Sequence, residues 1–281
     1  MNVLGAHISA SGGVDKVFER GEELGCDAIQ IFTRNQRQWD PKPLSKESME
    51  AFFSRKETTT IQFVSSHASY LINLASPEKS QWERSVDAMV DELFRAHTLS
   101  LDAVVVHPGS HKKHGIQFGL ERVILAIQEI FDRTGPISPK LLLENTAGQG
   151  EQLGASFQEL SDILQALSSY TNLGVCIDTA HAFQSGYLLI TKTDYENTIK
   201  ELNDTIGLEH IFQFHLNDSK TEAGSRKDRH ENIAQGAMGN KPFEHLMNDV
   251  RFRDVPMILE TPGGDDCFKE NLRLLRSMVR H

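Results

Sequence analysis

Eight short β-rich runs recur along the 281-residue chain, each followed by a loop and then an amphipathic helical stretch. They cover Val3 to Ile8, Ala28 to Phe32, Phe63 to His67, Ala103 to His107, Leu141 to Glu144, Gly174 to Asp178, Ile211 to His215 and Met257 to Glu260. Their spacing is roughly that of repeated βα units, about 30–35 residues. Strands that alternate with helices must pair in parallel, and eight of them can close on themselves. The predicted fold is α/β: a single (β/α)₈ TIM barrel, one domain over residues 1–281. A doubly wound open sheet is the alternative. It would show a glycine-rich phosphate turn after an early strand, where this chain has only the pair Gly12-Gly13. No Ser/Gly-rich linker divides the chain.

The helical stripes carry packing information only. Trp82, Val86, Met89, Val90, Leu93 and Phe94 recur at helical spacing behind Ser76-Pro77, which reads as an N-cap with proline at the first helical position. Val123, Ile124, Ile127, Ile130 and Phe131 form a second stripe, stopped by Gly135-Pro136. Ser156 to Glu159 reads as a capping box ahead of Leu160, Ile163, Leu164 and Leu167.

Chemistry enters at the strand ends. Seven of them carry a metal-ligand type at or next to their end: His7, His67, His107, Glu144, Asp178, His215 and Glu260. Taken singly, a strand-end histidine is more often a hydrogen-bonded structural residue, and Asp178 reads as the cap of the next helix. In a barrel, however, all strand C-termini meet at one face. Residues far apart in sequence then converge, and so many imidazoles and carboxylates at one face indicate a polynuclear metal site. His181 lies one turn past Asp178. Asp228 and His230 are two residues apart and would point the same way from an extended segment. The metal site is therefore expected at the C-terminal face of the strands.

Composition bounds the rest. Three cysteines, Cys26, Cys176 and Cys267, stand far apart with no Cys-x-x-Cys pair, which fits a reducing compartment. No basic segment followed by an apolar one opens the chain, and no apolar run reaches the length of a membrane span. A cytoplasmic, monomeric protein with no membrane partner is expected. The net charge of -10 argues by itself against nucleic acid. Its distribution argues the other way: Arg34, Arg37, Lys42, Lys112, Lys113, Lys220, Arg226, Lys227 and Arg229 all lie in loops that follow strands. An acidic body with a positive face can bind a phosphate backbone.

Longer blocks resemble one family. His67-Ala68-Ser69-Tyr70-Leu71-Ile72-Asn73-Leu74, Gly174 to His181, and His215-Leu216-Asn217-Asp218-Ser219-Lys220 look like the three signature blocks of endonuclease IV, the zinc-dependent apurinic/apyrimidinic endonuclease of base-excision repair. Asn35 to Trp39, His107 to Ser110 and Leu143 to Gly148 match as well, so the resemblance spans essentially the whole chain.

The resemblance implies three zinc ions, with manganese as an alternative at some positions. His67 and His107 would hold the first, Glu144 would bridge it to the second, and Asp178, His215 and Glu260 would complete the second. His181, Asp228 and His230 would hold the third. The implied reaction is hydrolysis of the phosphodiester 5′ to an abasic site in double-stranded DNA by metal-activated hydroxide. It leaves a 3′-hydroxyl and a 5′-deoxyribose phosphate, with Glu144 and Glu260 as the catalytic carboxylates. Arg37, Tyr70 and Leu71 would contact the DNA, the last two as a wedge where the abasic nucleotide is turned out. Two positions depart from the family pattern. Ala68 follows His67 where many members have Asp, and Ala234 lies where a glycine is usual, so an altered path is expected for the loop below the third metal. A sugar isomerase or epimerase on the same kind of barrel is the competing reading. The Asp228-Arg229-His230 element and the basic loops speak against it.

Overall fold

The structure is a computed structural model that describes residues 2–280. All eight expected strands form, with ends shifted by at most one residue: β1 Leu4–Ile8, β2 Ala28–Ile31, β3 Phe63–His67, β4 Ala103–Val106, β5 Lys140–Glu144, β6 Leu173–Asp178, β7 Ile211–Leu216 and, last in the chain, β10 Met257–Leu259. Every pairing among them is parallel, and the order β1-β10-β7-β6-β5-β4-β3-β2 closes the barrel. Two further short strands, β8 Asp218–Ser219 and β9 His230–Glu231, pair antiparallel in the long excursion after β7. The helices are α1 Lys16–Leu24, α2 Lys46–Lys56, α3 Lys79–Thr98, α4 Ile116–Thr134, α5 Phe157–Ala166, α6 Thr179–Ser185, α7 Lys192–Thr205, α8 Lys241–Met247 and α9 Asp265–Ser277.

Two apolar cores hold this arrangement. The larger lies between the strands and the helices and takes in most of the two stripes, including Val86, Met89, Leu93, Val123, Ile127 and Ile130, whereas Phe94, read as part of the first stripe, is exposed at its edge. The smaller one gathers Ala103, Val105, Leu142 and Cys176, with Phe63 and Phe212 packed against it. The two-residue strand period then decides what stands next in line. Two positions beyond Val105, Leu142 and Cys176 come His107, Glu144 and Asp178, on the same side of their strands. Alternation that begins as apolar packing therefore delivers the polar side chains together at the C-terminal mouth.

Two helix starts refine the sequence reading. The helix after Ser76-Pro77 begins at Lys79 instead, because Ser76 Oγ accepts the N–H of Glu78 and folds the chain into a turn first. Ser156 does cap its helix, accepting from the Glu159 N–H, while the Glu159 carboxylate reaches back to the N–H of Gly154.

Candidate metal centre

Three overlapping groups of donor atoms form at the barrel mouth, each with its atoms within 4.8 Å of one another: His67, His107 and Glu144; Glu144, Asp178, His215 and Glu260; and Asp178, His181 and His230. Glu144 is central. Its Oε2 lies 3.0 Å from both His67 Nε2 and His107 Nε2, and its Oε1 lies 3.0 Å from His215 Nδ1. His215 Nδ1 is also 3.2 Å from Glu260 Oε2. Asp228 Oδ1 stands 3.3 Å from His181 Nε2 and 3.4 Å from His230 Nε2. Asp178 belongs to two of the groups, where the sequence reading assigned it to the second alone.

His67 and His181 are aimed by what their other nitrogens touch. His67 Nδ1 donates to the carbonyl of Ala68 at 2.8 Å, leaving Nε2 toward Glu144. His181 Nδ1 donates to the carbonyl of Asn145 at 3.0 Å, leaving Nε2 toward Asp228 and His230. The carboxylates are aimed in the same way. Asp178 caps α6 by accepting the His181 N–H on Oδ1 at 2.7 Å, and its Oδ2 accepts from Asn217 Nδ2 at 2.6 Å. The helix-capping reading of Asp178 and its place in the donor groups therefore hold together, because a carboxylate offers about four lone-pair sites. Partners of this kind orient the ligands of metal sites.

Charge shows what the cluster fits. Glu144, Asp178 and His215 are fully buried, and no lysine or arginine approaches them within ion-pair distance among the described residues. Burial alone would raise Glu144, but the imidazoles of His215 and His107 outweigh it and hold its carboxyl well below the usual range. Burial alone would lower His181, but Asp178, Asp228 and Glu144 pull it well above an ordinary histidine. Burial would also raise Asp228, yet the imidazoles of His181, His230 and His107 hold it down at about 2. Buried carboxylates that pull protons onto neighbouring rings would attract a divalent cation more strongly still. The His and carboxylate donors, free of cysteine, suit zinc or manganese.

The rim divides the residues expected to meet DNA. Tyr70 is 71% exposed, its ring centroid 6.0 Å from that of His67 and 5.9 Å from that of Phe32. Leu71 is half-buried beside it, and Ile72 behind it is buried. Their loop is stapled to the next one by Asn73, whose Nδ2 donates to the carbonyl of Ser110 and whose Oδ1 accepts the N–H groups of Ser110 and Ala75. Gly109 makes this approach possible: it sits at φ +107°, and a Cβ there would come within 2.2 Å of Asn73 Oδ1. Arg37 is exposed in the loop after β2. Arg34 corrects the charge reading. It is buried, pairs with Asp91 at 3.0 Å and donates to the carbonyls of Gln38 and Trp39, so it holds the Arg37 loop rather than presenting charge.

Ala234 adopts the left-handed region at φ +65°, where a glycine would sit without strain. Beyond it, Asp218 accepts the N–H groups of Gly236 and Met238, and His230 keeps its place against His181 at 3.3 Å.

The sequence reading missed the amide residues behind the ligands: Asn145, Asn217, Gln30 and Gln213. The signal was present for Gln30, a lone polar residue inside the apolar run Ala28-Ile29-Gln30-Ile31. His7, one of the strand-end histidines, stands behind the cluster, its Nδ1 3.1 Å from Glu260 Oε1.

The family model described as xylose isomerase-like TIM barrel matches residues 18–278. A Chloroflexus aggregans protein named "Probable endonuclease 4" is 46% identical over 279 residues, covering 99% of this chain and 98% of that one. A Nitratidesulfovibrio vulgaris protein of the same name is 44% identical over 282 residues, covering 100% of both. The crystal structure of endonuclease IV from Thermus thermophilus superposes with a TM-score of 0.88 at 38% identity, over 98% of each chain. A D-psicose 3-epimerase from Clostridium cellulolyticum superposes at 0.71 with 16% identity over the full length of both, a likeness of fold alone.

Proposed function

We propose that this chain, which belongs to the endonuclease IV family of xylose isomerase-like TIM barrels, is a DNA-repair endonuclease that hydrolyses the phosphodiester 5′ to abasic sites. The products are a 3′-hydroxyl and a 5′-deoxyribose phosphate. Zinc is the proposed cofactor at three positions, with manganese as an alternative at some, and the enzyme acts as a cytoplasmic monomer. The observation that carries this reading is the convergence of nine imidazole and carboxylate side chains beneath an exposed aromatic, Tyr70.

The residues divide the work by position. His67 and His107 would hold one ion with Glu144, and Asp178, His215 and Glu260 would hold a second with the other oxygen of Glu144. His181, His230 and Asp228, with Asp178, would hold the third. Ions so held would supply an acidified water near neutral pH and would neutralise charge on phosphoryl oxygens. Both oxygens of Glu144 are engaged by imidazoles and none of its surface is open, so its role would be to hold ions and not to meet substrate. Burial would raise Glu260, but His215 and His7 hold its carboxyl well below the usual range, so with 17% of its side chain exposed it would act as a charged ligand facing the reacting phosphate. Tyr70 and Leu71 would enter the stack opposite the lesion, and Arg37 would take a phosphate. An abasic nucleotide has no base pair to break, so turning it toward this mouth costs less than turning out an intact one.

The test is a nicking assay on a duplex with a single abasic site, run with zinc-loaded, chelator-treated and reloaded protein. Expected is one nick at the 5′ side, lost on chelation and restored by zinc. Cleavage on the 3′ side, or undiminished nicking by protein that elemental analysis shows to be free of metal, would refute the reading.

A further inference from the structure

The far nitrogens of the ligand-type histidines are not all held in the same way. Backbone carbonyls hold His67 and His181, through Ala68 and Asn145, and no side-chain substitution removes them. His215 is held by a side chain. Its Nε2 lies 2.9 Å from Oε1 of Gln30, a fully buried residue of β2 reaching across the barrel interior. The other end of the same amide, Nε2, lies 2.7 Å from Glu260 Oε1. One amide thus touches two members of the Glu144, Asp178, His215 and Glu260 group.

Its orientation is decided by its neighbours. Turned over, it would set a carbonyl oxygen 2.7 Å from the Glu260 carboxylate, acceptor against acceptor. Gln213, two residues before His215 on β7, donates from Nε2 to Gln30 Oε1 at 2.7 Å and so supports the same orientation. With Oε1 toward the ring, the His215 proton belongs on Nε2, and the lone pair of Nδ1 faces Glu144 and Glu260. A competitor is close: Gln213 Nε2 is also 2.9 Å from His215 Nε2. If the ring accepted from Gln213, its proton would sit on Nδ1 and the lone pair needed for an ion would be gone.

We propose that Gln30 is a positioning residue that selects the Nε2–H tautomer of His215 and orients Glu260, and so sets the affinity of that one group for a divalent ion. The inference rests on the metal reading above and adds to it a residue that touches neither ion nor DNA. Gln30→Met keeps length and removes both polar ends. The double variant Gln30→Met/Gln213→Met also removes the competing donor. The Gln30–Gln213 bond then loses both partners at once, which can be nearly neutral for folding, while His215 Nε2 and Glu260 Oε1 each lose one partner, a cost the melting temperature without zinc reads directly.

The experiment titrates zinc into metal-free wild-type and variant protein against a chromophoric chelator and follows the melting temperature with and without zinc. In Gln30→Met, one ion should weaken by about ten- to a hundredfold while the other two keep their affinity. The double variant should recover part of that loss. Unchanged binding in Gln30→Met would overturn the inference. So would an equal loss of all three ions, or a double variant no better than the single. Wild-type protein that takes up no zinc would overturn the functional reading along with it, whereas wild-type uptake with an indifferent Gln30→Met would overturn this inference alone.

Discussion

Oδ1 of Asp178 accepts the backbone N–H of His181 at 2.7 Å, so the last residue of β6 starts the helix that carries the imidazole one turn later. A single carboxylate thereby sets the direction of α6 and leaves Oδ2 facing Asn217 and, at 3.8 Å, His230 Nε2. Because Asp178 takes part in two donor groups, Asp178→Ala should reduce zinc content by more than one ion per chain. It should also lower the melting temperature, since the helix loses its cap. A cap is worth about 1 kcal/mol. Metal analysis of the purified variant decides it, and the loss of one ion or none would show that Asp178 is not shared.

Glu144→Gln keeps the shape of the bridging side chain and removes its charge. Two divalent ions about 3.5–4 Å apart repel, and a neutral amide cannot offset them. At least one of the two bridged ions should be lost and the nicking rate should fall by orders of magnitude. Affinity for abasic duplex, which the proposed function assigns to Arg37 and the Tyr70 loop, should fall much less. Metal content, nicking rate and duplex affinity belong on one preparation. Full metal with near-normal nicking would remove Glu144 from the mechanism.

Asp228→Ala with His230→Ala should remove the ion held against His181 and spare the other two, because neither residue belongs to the groups around Glu144. The readout is stoichiometry by elemental analysis, which should fall from near three to near two. A uniform loss would show that the groups do not bind independently.

Tyr70 is exposed and Leu71 half-buried, so Tyr70→Ala with Leu71→Ala should cost little stability. Aromatic stacking on bases is worth about 1–3 kcal/mol per base, roughly five- to 150-fold in affinity. That loss should fall on abasic duplex and not on undamaged duplex. A melting temperature that drops by more than about 5 °C would instead assign the pair to packing the loop.

Ala234→Gly relieves a left-handed alanine, a strain of about 1–2 kcal/mol, and gives back about 0.4–1 kcal/mol through the looser unfolded chain. The net gain is on the order of 0.5 kcal/mol, a rise of roughly 1–2 °C in Tm. Differential scanning calorimetry checks it, and zinc stoichiometry should not change. A lower Tm would mean that the Ala234 side chain, which packs against the core, is worth more than its strain.

Much was legible in sequence because two periods are local. The run Leu141-Leu142-Leu143-Glu144 announces a buried strand with a charge at its end, and the stripe from Trp82 to Phe94 announces a helix, with no knowledge of what each packs against. Repetition of that unit implied the barrel, and the barrel implied that strand ends meet. The residue types at those ends, His67, His107, Glu144, Asp178, His215 and Glu260, could therefore be assigned to one place from sequence alone. Tertiary structure decided what depends on side chains from distant segments. It buried Arg34 against Asp91, placed Asp178 in two groups at once, and put the amide of Gln30 between His215 and Glu260, 185 and 230 residues further along the chain. A strand's period says which side a residue faces, and it is silent on which hydrogen bond will satisfy that residue. That partner is set by the closing of the barrel, where buried polar groups must find one another because water is excluded.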